Sequence, residues 1–375
     1  MIKKKLLILG LSAMMTCAAV GCGKKEDETT AAVQDSKEYS IDVTDTPMLN
    51  SGDLSDVELS KDGKVRSDLT GEWIDKDLAR RKPIACTVEN TEIAFPQSGI
   101  ENADIYYEML EEGGIDRLVC LFTDYDNIPK IGPMRSVRYY MVRKVVEHQA
   151  VLCHWGKAAN AEPDLEGYPG VEHVDFNDTE GGFRVDRGLS EDWHGAYISG
   201  EAVNNWRSQQ SYQLDKNENY KKMLNFNTSD TEPEGGQAAK KITTALSEAS
   251  TGWFEYDETS KEYKRFMFGA PQIDDESGNQ LHVKNIIVVF TYHGLYVCPD
   301  GEENVSGWID IDLVGSGDGF YASDGKIVPI TWKKGDSAQD VTEFYTSDGK
   351  PLQINPGKTW ITYMQDDNKA GLKVE

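Results

Sequence analysis

After residue 22 the chain contains only short apolar runs, and none of them is longer than a single β-strand. The best of them, residues 286–290, has five consecutive apolar residues and is bounded by Asn285 and Thr291. A membrane-spanning helix needs about 20 such residues, so no later part of the chain is a candidate for one. Short apolar runs between turn signals are typical of chains that fold into sheets.

The second half of the chain, residues 235–375, shows this pattern throughout. Asp-Gly pairs begin at residues 318, 324 and 348, and such pairs favour tight hairpin turns. We therefore predict a mostly antiparallel, β-rich C-terminal domain over 235–375, which opens with a short helix over 238–249. The predicted strands cover residues 253–256, 263–268, 283–291, 308–313, 327–332, 341–345 and 359–363.

Residues 70–225 mix strand and helix signals. Residues 83–88 form a strand-like run, and the Gly-Gly pair at 113–114 lies between two further runs, as in a hairpin. The Gly-Pro pair at 132–133 is followed by apolar residues at every fourth position, which predicts an amphipathic helix. The pattern indicates an α/β (α+β) N-terminal domain over 70–225, and the polar stretch 214–236 is the candidate boundary.

The first residues have the composition of an export signal. Three lysines at positions 3–5 precede an uncharged apolar stretch over 6–20, and Ala19-Val20-Gly21 lead into Cys22. This resembles the lipobox of bacterial lipoproteins, in which Cys22 receives the lipid and residues 1–21 are removed. An ordinary cleaved signal peptide is the alternative. Residues 22–69 are polar, without an apolar period, and are predicted to form a lipidated, disordered tether.

The chain is strongly acidic. It has 39 Lys and Arg residues against 64 Asp and Glu residues, a formal net charge of −25. Removal of residues 1–21 takes away three lysines and no acidic residue, so the mature net charge is −28. Such a chain repels nucleic acids and anionic lipid headgroups. We therefore expect no nucleic-acid partner, and contact with the membrane through the lipid on Cys22.

Four further cysteines, Cys86, Cys120, Cys153 and Cys298, remain after Cys22. They allow two disulfides, but the first three lie in apolar strand-like runs, which favours buried free thiols. The sequence has no CxxC motif, no zinc-like spacing of Cys and His, and no HExxH motif. We therefore expect neither a metal nor a cofactor.

Arginines gather after the Gly-Pro pair at 132–133. Arg135 and Arg138 are three residues apart and are predicted to lie in the first turns of the helix. Guanidinium groups and free backbone N–H groups at a helix start suit a carboxylate or a phosphate. The sequence therefore predicts an anion site, unless these arginines pair with the many acidic residues of the chain.

Carboxylates flank the predicted hairpin at 113–114. Glu111 would lie opposite Asp116, a repulsive pair unless a cation or Arg117 intervenes. Paired carboxylates can perform acid–base chemistry, whereas a solvated hairpin tip is the plainer interpretation. Glu108 and His154 are the candidate catalytic groups if the protein is an enzyme.

Several motifs together resemble those of the YerB-like lipoproteins, a bacterial family built on a two-part domain of unknown function. The resemblance covers most of residues 80–365, and it implies a lipoprotein of the Gram-positive cell surface without supplying a reaction. The chain departs from the family at 154–158 and at 193–195. The motifs are Pro96-Gln97-Ser98-Gly99, residues 103–108, 112–115 with Arg117, residues 131–138 with Ser136, His154, His194 with Tyr197, residues 325–334, 344–345, 348–351 and 355–360.

Two hypotheses follow. The leading one is a non-catalytic binding protein on the outer face of the cell membrane, which recognises an anionic wall polymer or a membrane protein. Its candidate ligand-binding residues are Arg117, Arg135, Ser136, Arg138 and His194. The alternative is an enzyme that modifies peptidoglycan, with Glu108 or His154 as the acid–base group and the arginines as substrate clamps.

The lipid anchor gives a direct test. In a Cys22→Ala variant the thiol that accepts lipid is gone, while the lysines and the apolar stretch still direct export. We expect the wild type to label with a fatty-acid analogue and to enter a detergent phase. The Cys22→Ala variant should not label, and no lipid should draw it into the detergent phase. Equal labelling of both proteins would contradict the assignment of Cys22.

Overall fold

The computed structural model describes residues 62–189, 192–210, 214–298, 301 and 303–375. The predicted export signal, Cys22 and the first forty residues of the predicted tether lie outside this range. The predicted tether ends too late, because Val65 and Leu69 are already buried against the folded chain. Within the described residues, no helix is long and apolar enough to cross a membrane.

Strands dominate the structure, and most strand pairs are antiparallel. The helices are α1 (Lys76–Arg80), α2 (Tyr139–Val146), α3 (Glu162–Gly167) and α4 (Gly200–Ser208). The strands are β1 (Val65–Arg66), β2 (Trp73–Ile74), β3 (Ile84–Glu89), β4 (Ile105–Leu110), β5 (Asp116–Phe122), β6 (Val151–His154), β7 (Glu172–Asp175), β8 (Phe183–Arg184), β9 (Ala196–Tyr197), β10 (Asn225–Phe226), β11 (Gln237–Ala238), β12 (Lys241–Ala245), β13 (Thr251–Asp257), β14 (Glu262–Met267), β15 (Ala270–Pro271), β16 (His282–Val283), β17 (Asn285–Thr291), β18 (His293–Leu295), β19 (Ile309–Ile311), β20 (Gly315–Ser323), β21 (Lys326–Lys334), β22 (Glu343–Thr346), β23 (Gln353–Ile354), β24 (Thr359–Gln365) and β25 (Leu372–Val374).

One large sheet takes strands from both predicted domains. Its order is β11-β21-β20-β17-β24-β4-β5-β3-β6-β7, and β22 pairs with β21. Strand β24 is parallel to β4, so the C-terminal part of the chain is hydrogen-bonded directly to the N-terminal part. The division into an α/β domain and a separate β-rich domain therefore stays a prediction.

The directions of the strands matter for the site. Strands β17, β24 and β4 are mutually parallel, as are β3, β6 and β7. Strand β5 is antiparallel to both of its neighbours, β4 and β3. All six parallel strands therefore run the same way, and their carboxyl ends lie along one edge of the sheet, here called the carboxyl edge.

Each face of the large sheet buries a separate apolar core. A second sheet, β15-β14-β13-β12-β25 with β16 beside β14, packs on the face that carries Tyr106 and Trp360. Helices α2 and α3 pack on the other face, which carries Tyr107.

The predicted helix over 238–249 is wrong. Residues Lys241–Ala245 are β-branched in the middle and form β12 between β13 and β25, which supply its hydrogen bonds.

The four described cysteines are free thiols. Cys86 lies directly between Cys120 and Cys153 on the neighbouring strands, and all three are fully buried. Burial raises the pKa of the Cys86 thiol well above its usual value. These side chains therefore act as small apolar groups of the core.

A buried ion cluster joins the two parts of the chain. Arg265 of β14 forms an ion pair with Glu108 of β4, and both side chains are fully buried. The Arg265 guanidinium lies over the rings of Phe254 and Trp360, 4.6 and 4.7 Å from their centroids, and these two rings meet edge to face. Trp360 Nε1 also donates to Glu108 Oε2 at 3.1 Å. The Arg265 guanidinium thus contacts a carboxylate and two aromatic rings, and one of these rings is also hydrogen-bonded to the carboxylate.

Asp116 is a second carboxylate in the same cluster. It accepts hydrogen bonds from Asn90 Nδ2 and Ser250 Oγ, each at 2.5 Å. Burial, followed by the nearby charge of Glu108, raises the pKa of Asp116 from 3.8 to about 7. One cation therefore faces two buried carboxyl groups, and protonation of Asp116 relieves the imbalance.

Removal of the Arg265 guanidinium should destabilise the fold severely. In an Arg265→Met variant the stem is retained, but Glu108 is left as an unpaired buried charge. We expect the free energy of unfolding to fall by about 3–5 kcal/mol, measured by urea denaturation. The double variant Arg265→Met/Glu108→Gln should recover part of the loss. A loss below about 1 kcal/mol in the single variant would refute the role of the pair.

The pKa of Asp116 predicts a pH dependence. Because its pKa is higher in the folded than in the unfolded state, its contribution to stability is complete below about pH 3.8 and is lost as the pH rises through about 7. An Asp116→Asn variant lacks this titration. Its stability relative to the wild type should therefore improve steadily between about pH 4 and pH 7, measured by thermal unfolding. Parallel pH profiles would show that Asp116 does not titrate in this range.

Candidate functional site

The carboxyl edge collects several polar side chains, of which His154 and Arg117 are among those that the sequence singles out. Glu89 ends β3, His154 ends β6 and Asp175 ends β7. Arg117 lies at the same edge because β5 runs in the opposite direction and begins there. In open sheets with parallel strands, ligands commonly bind beyond the carboxyl ends of the strands.

The segment 132–138 crosses this edge as extended chain. Met134 pairs with Val88, and Arg135 N–H donates to Thr87 O at 3.0 Å. Gly132 has φ +147°, and a Cβ there would lie 2.8 Å from Ala196 O, so the crossing requires glycine. The pairing with β3 places the Arg135 side chain beside Glu89.

The predicted helix therefore begins later than expected. Helix α2 starts at Tyr139, with Arg138 as its N-cap residue. The expectation that Arg135 and Arg138 occupy the first turns is wrong, because residues 134–137 form backbone hydrogen bonds with β3 and with the 155–158 segment. The backbone N–H groups of Met134, Arg135 and Val137 are thus already bonded within the fold.

Two of the predicted ligand-binding arginines are paired internally. Arg117 binds Glu111 and the backbone oxygen of Ser136, and it is almost fully buried. Arg138 binds Glu112, with Nη2 to Oε2 at 2.5 Å, and lies 3.4 Å from Glu111. The predicted Glu111–Asp116 pair does not form, because Asp116 pairs across the strands with Leu110 while the Glu111 N–H donates to Ile115 O. The two cations instead neutralise Glu111 and Glu112, and little of their charge is left for a ligand.

Arg135 has a different environment. Its side chain is 26% exposed, and its Nε lies 3.7 Å from Glu89 Oε2. The same Nε is buried and has no hydrogen-bond partner among the described residues. Arg135 is thus the least satisfied of the three arginines, and it lies where the cluster meets solvent.

His194 approaches Glu89 from the other side. Its Nδ1 lies 2.9 Å from Glu89 Oε2, and Trp193 Nε1 donates to its Nε2 at 2.9 Å. These partners define a neutral tautomer in which Nδ1 donates to the carboxylate. The Trp193 side chain is 46% exposed. Arg135, Glu89, His194 and Trp193 therefore form one contiguous row of contacts, here called the edge row.

The candidate catalytic residues do not join this row. Glu108 shares a sheet face with Tyr106, whereas His154 shares the opposite face with Leu152. Both are fully buried, and Glu108 is neutralised by Arg265. His154 bonds to Gly156 O at 2.9 Å and to His173 Nδ1 at 3.1 Å, and burial lowers its pKa to about 4. The two groups therefore cannot act together on one substrate.

Ser136 is a structural residue. Its backbone oxygen accepts from Arg117 and Arg138, and its hydroxyl donates to Trp155 O at 3.5 Å. No cluster of three or more His, Cys, Asp or Glu side chains suited to a metal occurs in the described parts of the chain.

Sequence reasoning missed Glu89 and Arg187. Glu89 directly follows a predicted strand, and that position at a strand end was the available signal. Arg187 donates to Ala94 O and Phe95 O, both at 2.9 Å, and to His194 O at 3.3 Å. It thereby fixes the loop that carries His194, and no local pattern indicates this role.

Comparison with known proteins agrees with the two-part organisation of the motifs. Residues 69–213 match the N-terminal domain of a protein family of unknown function, DUF3048, and residues 242–361 match its C-terminal domain. The chain is 28% identical to "Putative lipoprotein YerB" of Bacillus subtilis (strain 168) over 311 residues, 82% of this chain and 89% of the relative. The crystal structure of YerB from Bacillus subtilis matches with a TM-score of 0.70 and 26% identity, and the match covers 83% of this chain and all of that one. The chain therefore belongs to the two-part DUF3048 family of YerB-like proteins.

Proposed function

We propose that this protein is a lipid-anchored binding protein on the outer face of the cell membrane of a Gram-positive bacterium, and that it recognises an anionic component of the cell wall. The name of its Bacillus relative suggests a lipoprotein, and the Cys22 motif supplies the attachment point. Since the mature chain is strongly acidic, a covalent lipid offsets the repulsion between protein and anionic membrane.

The observation that carries the proposed ligand site is the environment of Arg135. Arg117 and Arg138 are neutralised by Glu111 and Glu112, whereas Arg135 combines partial exposure with an unsatisfied buried Nε. A carboxylate or phosphate can bind the outer nitrogens of this guanidinium in a two-pronged fashion.

Trp193 extends the proposed surface. Its indole is exposed and is held against His194, which is in turn held by Glu89. A flat, exposed aromatic side chain in the same row as a cation suits a ligand that carries apolar faces as well as charge, such as a wall polymer. The enzymatic alternative has no comparable support, because Glu108 and His154 are both fully buried and already bonded within the fold.

Replacement of Arg135 tests the proposal. We expect an Arg135→Gln variant of the mature chain to bind purified, teichoic-acid-bearing wall roughly tenfold more weakly, because a charge-assisted hydrogen bond is lost. Sedimentation of protein with wall fragments measures this binding. The wild type should also bind less at high salt.

Arg80→Gln is the matched control. Arg80 forms a surface ion pair with Asp215 and precedes β3, so it lies at the opposite edge of the sheet. The Arg80→Gln variant should bind wall as strongly as the wild type does. The proposal is overturned if wild type and Arg135→Gln bind equally or if the wild type does not bind wall. Recovery of a membrane protein that depends on Arg135 would instead support the membrane-protein alternative.

A further inference from the structure

A second polar site lies at the carboxyl edge, where β17 and β24 end. An open pocket of about 290 Å³ is formed there by the strand ends, the start of β20 and part of β21. This volume is at the lower limit for small-ligand sites, so it admits a single side chain or a small amine. None of its lining residues belongs to the edge row.

The charge of this pocket is opposite to that of Arg135. Three carboxylates, Asp312, Asp318 and Asp366, line it together with one cation, Lys369. Asp318 is paired with Lys369 at 2.7 Å. Asp312 and Asp366 form no ion pair with any residue that the structure describes. The pocket therefore has two uncompensated negative charges.

Aromatic rings form the remaining wall. Phe290, Tyr292 and Trp332 line the pocket, and the Tyr292 side chain is 57% exposed. The Lys369 ammonium lies 5.3 Å from the centroid of the Phe290 ring while it contacts Asp318. A primary ammonium of the chain itself thus already uses a carboxylate and a ring face of this pocket, which shows that the wall suits such a group.

A buried imidazole lies close to this pocket without lining it. His293 follows Tyr292 and is only 7% exposed, yet neither ring nitrogen has a hydrogen-bond partner among the described residues. Burial lowers the pKa of His293 to about 4, although the charge of Asp366 opposes this shift.

We propose that this pocket binds a primary ammonium group on an alkyl chain, in competition with Lys369. Lysine side chains of peptides and small free amines share this chemistry. The excess of carboxylates supplies the charge, the rings contact the alkyl stem, and the internal Lys369 occupies part of the site in the absence of a ligand. The proposal is independent of wall binding through Arg135, because the two sites attract charges of opposite sign.

Titration with defined probes tests this pocket in the mature chain. The probes are Nα-acetyl-lysine amide, n-butylamine and Nα-acetyl-norleucine amide, which lacks the ammonium. The Trp332 indole N–H, which donates to Phe290 O at 3.0 Å, provides a local NMR signal that a Trp332→Phe variant identifies. We expect saturable shifts with the two amines and none with norleucine amide. Tighter binding of the lysine amide assigns the site to peptides, and equal binding assigns it to small amines.

Two variants separate recognition from structure. Lys369→Met removes the internal competitor and should raise the affinity for the amines roughly two- to fivefold, whereas Asp366→Asn should lower it by a similar factor. Lys350→Met is the matched control, because it removes an exposed lysine that is paired with Asp348 in a hairpin turn. It should leave the affinity for the amines unchanged. Equal shifts with norleucine amide, or no saturable shift with either wild type or Lys369→Met, would overturn the proposal.

Discussion

The ion pair between Arg265 and Glu108 is the interaction on which the arrangement of the whole molecule depends. A guanidinium and a carboxylate are costly to bury, and they are tolerated because each satisfies the other. Their positions on β14 and β4 require the second sheet to lie on one particular face of the large sheet. The contacts of the Arg265 guanidinium with the Phe254 and Trp360 rings add a geometric requirement that simple apolar packing would not impose.

The carboxyl edge follows from this arrangement. With one face covered by the second sheet and the other by α2 and α3, the sheet edges are where polar side chains can reach solvent. The shared direction of six strands brings residues that are distant in sequence to the same edge. The one antiparallel strand among them, β5, adds Arg117 from its amino end.

Charge compensation then decides which of these side chains are available to a ligand. In a chain with far more acidic than basic residues, most cations find a carboxylate nearby. Arg117 and Arg138 follow that rule, and Lys369 follows it in the second pocket. At the two proposed sites the pairing is weaker: Arg135 approaches Glu89 only to 3.7 Å, and Asp312 and Asp366 form no ion pair with any described residue. Both proposed sites lie where internal pairing is incomplete.

The sequence alone determined the strand-rich character, the family membership and the positions of most of the longer strands, because short-range periodicity and turn residues are local properties. It also identified the arginines, since their excess in one segment is visible without a structure. Which arginines are neutralised, that Glu108 and His154 occupy opposite faces, and that residues 241–245 form a strand were decided by the tertiary structure. Pairing partners such as Arg265 and Glu89 are remote in the chain from the groups that they control, and no local pattern records a contact of that kind.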